Sequence, residues 1–143
     1  MSYWVVDASI AVRSALSISD SLERFWTRVE QEQITPCSPR LWMSETTSAV
    51  RFLLAHKELT AREAEQALQT IHALKFEIID EDEMLSLRAL VLAGKLGQSR
   101  AYDAFYLALA ERLETQLWTA DERLANRCRK DLKLTWVHSI GEM

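Results

Sequence analysis

Glycine, proline and cysteine are scarce in this chain: three glycines, two prolines and two cysteines in 143 residues. Gly94, Gly97 and Gly141 cannot build the GxGxxG or GxxxxGK[ST] loops that cradle phosphates, so Rossmann and P-loop nucleotide binding are excluded. Cys37 and Cys128 stand far apart and outside any CxxC, which argues against a disulfide framework and a cysteine-rich zinc site. No apolar run approaches the roughly 18 residues of a membrane span. Met1-Ser2-Tyr3-Trp4 lacks the basic lead and apolar core of a signal peptide, so the expected compartment is the cytoplasm. His56, His72 and His138 stand singly, with no serine or cysteine motif to serve.

What is present reads as an ordinary globular protein, 48% apolar and 27% charged. The length fits one domain over residues 1–143. The 21 acidic against 17 basic residues give a net charge of −4, which argues against coating nucleic acid by bulk charge. A local basic path to an acidic centre stays open.

Short apolar β-type runs alternate with helical patterns. Strands are expected at Tyr3–Val6, Ile34–Cys37, Phe76–Ile79, Gln116–Thr119 and Leu134–Val137. Asp20 is the expected cap of the helix bearing Leu22, Phe25, Trp26 and Val29. A further helical pattern runs from Leu41 to about Lys57, and the Thr60-to-Glu63 capping box opens the next. Helices then follow from Glu81 to about Lys95, from a Ser99 cap to about Glu114, and after a Thr119-to-Glu122 capping box. Strands separated by helices throughout predict an α/β fold: a three-layer α/β/α arrangement with a central parallel sheet of about five strands. Such sheets bind ligands beyond the carboxyl ends of their strands.

Four acids need explaining. Asp103 is the only charge in Ala101-Tyr102-Asp103-Ala104-Phe105-Tyr106-Leu107-Ala108-Leu109-Ala110, a helix apolar nearly all round and therefore buried. A helix dipole could hold it, but an unpaired buried carboxylate is costly, and compensation by a cation is the stronger reading. Glu45 is the only acid of its weakly polar helix start, where it could be an ordinary first-turn residue. Asp7 ends the first strand and could be no more than a helix cap. Asp121 follows the Trp118 strand, and the Thr119-to-Glu122 box leaves it free to point elsewhere. In a parallel sheet these points converge on one edge. Clustered carboxylates without histidine or cysteine at ligand spacing favour Mg²⁺ or Mn²⁺ over Zn²⁺.

Val5-Val6-Asp7-Ala8-Ser9, the Ser44-Glu45 helix, the Asp103 segment through Glu111, and Thr119-Ala120-Asp121-Glu122-Arg123-Leu124 resemble, in order, the motifs of PIN-domain ribonucleases. The resemblance is closest to the small VapC-type toxins and covers essentially the whole chain. It implies that Asp7, Glu45, Asp103 and Asp121 form a metal-binding acidic quartet for Mg²⁺ or Mn²⁺, with Ser9 and Thr119 as the hydroxyl residues beside it. It also implies hydrolysis of RNA phosphodiesters, a homodimer, and a small VapB-like antitoxin partner. Ser48 stands where many relatives have Asn.

Other signals read as structural. Asp80-Glu81-Asp82-Glu83 opens a helix, where acids complement the dipole. The GxxG of Gly94 to Gly97 resembles a KH-module loop, but a helix stop needs the same glycines. The five tryptophans fall mostly in strands or apolar helix faces and read as core rather than base-stacking platforms. Arg123, Arg127 and Lys130 share one helical face that is either solvated or guides a phosphate backbone toward Asp121, and Arg100 could help. The leading expectation is a metal-dependent endoribonuclease. A non-catalytic RNA- or protein-binding scaffold is the main alternative, and a phosphatase or phosphoacceptor domain ranks last, since Asp7-Ala8-Ser9 is not Asp-x-Asp. Without the proposed quartet, 17 acids balance 17 bases, so the net charge reports a concentrated acidic centre rather than excluding RNA.

Overall fold

A computed structural model describes residues 2–143. Five parallel strands form the centre: β1 (Ser2–Val6), β2 (Ile34–Pro39), β3 (Glu77–Ile79), β4 (Leu117–Thr119) and β5 (Val137–Ser139). Seven helices connect and cover them: α1 (Ala8–Leu16), α2 (Asp20–Gln31), α3 (Leu41–Ala55), α4 (Ala61–Ala73), α5 (Glu83–Lys95), α6 (Tyr102–Arg112) and α7 (Glu122–Asp131). This is the expected α/β/α architecture. The sheet order is β3-β2-β1-β4-β5, so the chain winds outward from β1 in one direction and then returns to its other side. The crevice between the carboxyl ends of β1 and β4 is the switch point where such sheets bind ligands.

Alternate residues of the central strands serve opposite faces. Val5, Cys37, Leu117 and Val137 pack into one core with Tyr106, Leu107, Ile71 and Leu85. Trp4, Val6 and Trp118 face the other way, onto Ile10 and onto Leu22, Phe25 and Val29 of α2. There the Trp4 and Trp118 rings lie 5.3 Å apart, tilted by 33°, and Phe25 sits 5.5 Å from Trp118. Tryptophan is thus core material here, as its sequence positions suggest.

The Thr60-to-Glu63 capping box forms as read. Several boundaries move. Ser19 rather than Asp20 caps α2, because its hydroxyl accepts from Leu22 N at 3.1 Å. Ser99 caps nothing: α6 begins at Tyr102 after Ala101, which makes no side-chain cap. Helix α5 starts at Glu83 with Asp82 as its cap. The last strand starts three residues later than expected, because Leu134 N is spent on Cys128 O at 3.1 Å and ties the segment to the end of α7. Gly97, with φ of +66°, is the helix stop expected of it, and its turn delivers Gln98 toward the start of α6.

Candidate active site

Asp7 sits where β1 ends. It caps α1 and is only 6% exposed. Its backbone N–H donates to Trp118 O at 3.1 Å, which fastens it to β4. Ser9 is the hinge of this corner. Its hydroxyl donates to the Asp7 carboxylate, and its backbone N–H donates to the same oxygen at 3.1 Å. The same hydroxyl accepts from Ala120 N at 2.9 Å and lies 3.4 Å from the Thr119 hydroxyl. Two hydroxyls and two strand ends therefore hold one buried carboxylate.

Asp121 corrects the reading of its segment. The Thr119 hydroxyl accepts from Asp121 N at 3.0 Å, and no Thr119-to-Glu122 box forms. Asp121 itself caps α7, accepting from Arg123 N at 3.0 Å and Leu124 N at 3.2 Å through Oδ1. A strand ending so close to the helix leaves room for only one cap, and Asp121 takes it. Those two bonds use Oδ1, and the exposed residue borders the cleft that also holds Ser9.

Glu45 lies beyond the first turn of α3, which removes the helix-dipole explanation for it. Its carboxylate accepts instead from the Tyr106 hydroxyl at 2.5 Å. Asp103 does stand in the first turn of α6, and Gln98 Nε2 donates to it at 2.9 Å. Tyr106 and Gln98 are site residues that sequence reasoning missed. The one signal for Tyr106 was its spacing of three from Asp103, which puts both on one helical face.

Electrostatics bind the four together. Burial raises the Asp7 carboxyl to about 7, and the charges of Asp103 and Glu45 add to the rise against the hydrogen bonds of Ser9 and Thr119. Burial also raises Glu45, with Asp103 and Glu81 adding to it and Tyr106 opposing. Asp103 is raised by burial too, opposed by Gln98 and pushed further by Asp121. Among the described residues no Lys, Arg or His forms an ion pair with any of the four. Nor do any three acidic, His or Cys side chains there stand ready grouped as a metal ligand set.

The donor chemistry nonetheless suits a hard divalent cation. All four side chains offer carboxylate oxygens, and Mg²⁺ keeps several waters while taking few protein ligands. A cation here would replace the missing protein counter-charge.

The basic residues divide. Arg123 borders a cleft of about 800 Å³ with Ser9 and Asp121. Arg100 borders a second, of about 480 Å³, with Glu45, Gln98, Tyr102 and Asp103. Arg127 does not join them: its guanidinium donates to Leu96 O and lies 3.9 Å from Asp131. Lys130 is exposed near the far end of α7 and borders neither cleft. The expected face of three cations thus reduces to its first member, because a helix starting at the site carries later residues away from it.

The PIN domain family matches residues 4–130, a span that includes all four carboxylates. The chain belongs to that family. This PIN domain is 33% identical over 137 residues to the ribonuclease VapC9 of Mycobacterium tuberculosis, covering 93% of this chain and 97% of the relative. The VapC ribonuclease Mb0985 of Mycobacterium bovis matches to the same extent. The PIN domain also shares its fold with a protein from Pyrobaculum aerophilum, at a TM-score of 0.71 and 18% identity over 99% of this chain and 85% of that one. A chain of VapBC2 from Rickettsia felis, solved with a promoter DNA fragment, superposes at a TM-score of 0.65 and 13% identity over 96% of this chain and 98% of that one.

Proposed function

We propose that this PIN domain is a metal-dependent endoribonuclease and the toxin of a toxin–antitoxin pair. The observation that carries the reading is a set of carboxylates near the sheet's switch point, Asp7 buried and Glu45 and Asp103 half-buried, mutually repelling and, among the described residues, without an ion-paired cation. The relatives' names supply the substrate class: both are ribonucleases of the VapC type.

Asp7, Glu45, Asp103 and Asp121 would hold Mg²⁺ or Mn²⁺. Such an ion, when bound, lowers the pKa of a water and neutralises charge on a phosphoryl oxygen. The chain's own residues prepare that chemistry. Ser9 fixes the Asp7 carboxylate from its hydroxyl and its backbone N–H, so Asp7 enters the site in one rotamer. Thr119 orders the turn that delivers Asp121. Tyr106 and Gln98 hold Glu45 and Asp103 facing that centre rather than solvent. Arg100 and Arg123, on opposite sides, are placed to meet the RNA backbone.

The antitoxin partner in this proposal rests on the toxin–antitoxin assemblies that share the fold, among them a complex from Klebsiella pneumoniae. The homodimer rests on α5, which leaves Met84, Leu87, Leu90 and Val91 exposed. That stripe is flanked by Glu83 at one end and Lys95 at the other, so two copies crossed antiparallel about a two-fold axis set acid against base at both ends. Leu87→Asp should leave the fold intact and convert the dimer to a monomer by sedimentation. A wild-type chain that sediments as a monomer overturns this part.

The decisive experiment incubates defined RNAs with Mg²⁺ or Mn²⁺, with chelator and Asp103→Asn as controls. Cleavage that needs both the metal and Asp103 is expected. Cleavage by the variant at the wild-type rate, or none by the wild type, overturns the reading.

A further inference from the structure

The larger cleft is built from four separate segments. Ser9 and Arg13 come from α1, Ser19 and Ser21 from the start of α2, Asp121 and Arg123 from the start of α7, and Gly141 from the C-terminal turn. Arg13 is one turn beyond Ser9 on the same face of α1. The residue whose hydroxyl fixes Asp7 therefore stands beside the residue that brings a guanidinium to the cleft. The volume, about 800 Å³, is in the range that holds a small ligand.

The arginines divide by whether a polar partner holds them. Arg28, Arg40, Arg88, Arg112, Arg127 and Arg129 are all engaged in ion pairs with carboxylates. Arg24 donates to Met143 O at 3.0 Å. Among the described residues, Arg13 and Arg123 have no polar partner, although Asp121 and Glu122 border the same cleft and could have supplied one. Arg100 is likewise without a partner, in the cleft on the Glu45 and Asp103 side. The carboxylates thus line both clefts, Asp121 the larger and Glu45 and Asp103 the smaller, and each cleft also holds arginine without a partner among the described residues. Two helices, α2 and α7, also begin at the larger cleft, where their positive ends favour an anion.

We propose that this cleft binds the phosphodiester adjacent to the scissile one in a single-stranded RNA, with Arg13 and Arg123 as its phosphate-binding pair. A strand lying through both clefts passes the carboxylates that line them. The cations on either side then fix its register against the centre, since phosphate contacts position a nucleic acid without reading its sequence. The proposal rests on the ribonuclease reading and adds Arg13, which no sequence motif marks.

The test uses RNA binding as well as cleavage. In an Asp103→Asn background, which binds without cutting, Arg13→Ala and Arg123→Ala are each expected to weaken a labelled single-stranded RNA about tenfold by anisotropy. Made together they should lower the salt slope by about 0.7, the value of one lost phosphate contact on a single strand. Arg62→Ala, at an arginine of α4 outside both clefts and without an ion pair among the described residues, serves as the control and should change neither. In the active protein the same two changes should raise KM and spare kcat. A neutral methylphosphonate at the linkage next to the cut should cost the wild type as much as losing both arginines, and cost the Arg13→Ala/Arg123→Ala double variant nothing further. Folded variants with unchanged RNA affinity, salt slope and KM overturn the cleft assignment while RNA cleavage by the wild type stands. Failure of the wild type to cut RNA overturns the ribonuclease reading, and this proposal with it.

Discussion

Two acidic regions of the molecule invite comparison: the run Asp80 to Glu83 and the carboxylates around Asp7. The first is the denser in sequence, yet three of its four members have structural partners. Asp80 pairs with Arg40, and Asp82 accepts from Arg112 at 2.7 and 2.8 Å while capping α5. Glu81 accepts from Leu41 N at 3.0 Å. The hydrogen bond from Arg112, aided by that of Leu85 N, lowers the Asp82 carboxyl to about 2. The second region is scattered along the chain, brought together by the fold, and without an ion-paired cation among the described residues. Burial there lifts Asp7 to about 7. The same functional group is shifted in opposite directions, and the difference separates acids that the fold uses from acids that strain it. A fold retains strain of the second kind where it serves a site.

The sharpest way to break the comparison is to neutralise one acid from each region. Asp7→Asn keeps the helix cap, since Asn caps as well as Asp, and deletes only the charge. RNA cleavage should fall by at least about 100-fold, because even indirect supports of a metal site cost 10–100-fold. The metal-free variant should nevertheless melt above the wild type, by an amount on the order of a few kcal/mol, as a buried unpaired charge disappears. Asp82→Asn should do the reverse: full cleavage and a lower Tm. Thermal melts with chelator and a cleavage assay read both variants. If Asp7→Asn lowers the metal-free Tm as Asp82→Asn does, the two regions are not the opposites described.

The contrast was only partly legible in the sequence. Parallel strands, helix order and the four acids follow from alternation and from charges set in apolar surroundings. The support of those acids did not. Tyr106 looks like one more core residue in a helix apolar nearly all round, and its partner Glu45 is 61 positions away. Gln98 sits in a turn whose glycines draw attention to the backbone instead. Capping was the least reliable guide near the site. Thr119 and Glu122 have the spacing of a box, but the sheet places Thr119 inside β4, where its hydroxyl serves the turn at Asp121. Local patterns name helix starts, while the choice among neighbouring caps is made by what the strand before them has already fixed.

A smaller effect is expected from Tyr106→Phe. The hydroxyl holds Glu45 at 2.5 Å, and removing it leaves ring packing nearly unchanged while freeing the carboxylate to turn away. Cleavage should fall about tenfold, with most of the loss recovered at higher metal concentration, the pattern of a group that acts through a ligand. Equal loss at saturating metal would show that Tyr106 does something other than position Glu45.

The smallest effect is a pair of opposed pH slopes. In metal-free protein Asp7 titrates near 7 when folded and near 3.8 when unfolded. Between those values the native state binds the extra proton, so stability falls as pH rises through the window. Asp82 is depressed from 3.8 to about 2. Between those values the unfolded state binds the extra proton, so the stability Asp82 lends is complete above 3.8 and is lost as pH falls toward 2. Denaturant melts across pH should therefore show a shallower decline between 4 and 7 in Asp7→Asn, where only the raised Glu45 and Asp103 still contribute, and the full decline in Asp82→Asn. Saturating Mg²⁺ should flatten the same stretch in the wild type, because a cation among the carboxylates supplies the counter-charge that protonation otherwise replaces. A decline that persists unchanged with Mg²⁺ present would mean that no ion reaches Asp7, and the distinction between the two acidic regions would lose its functional meaning.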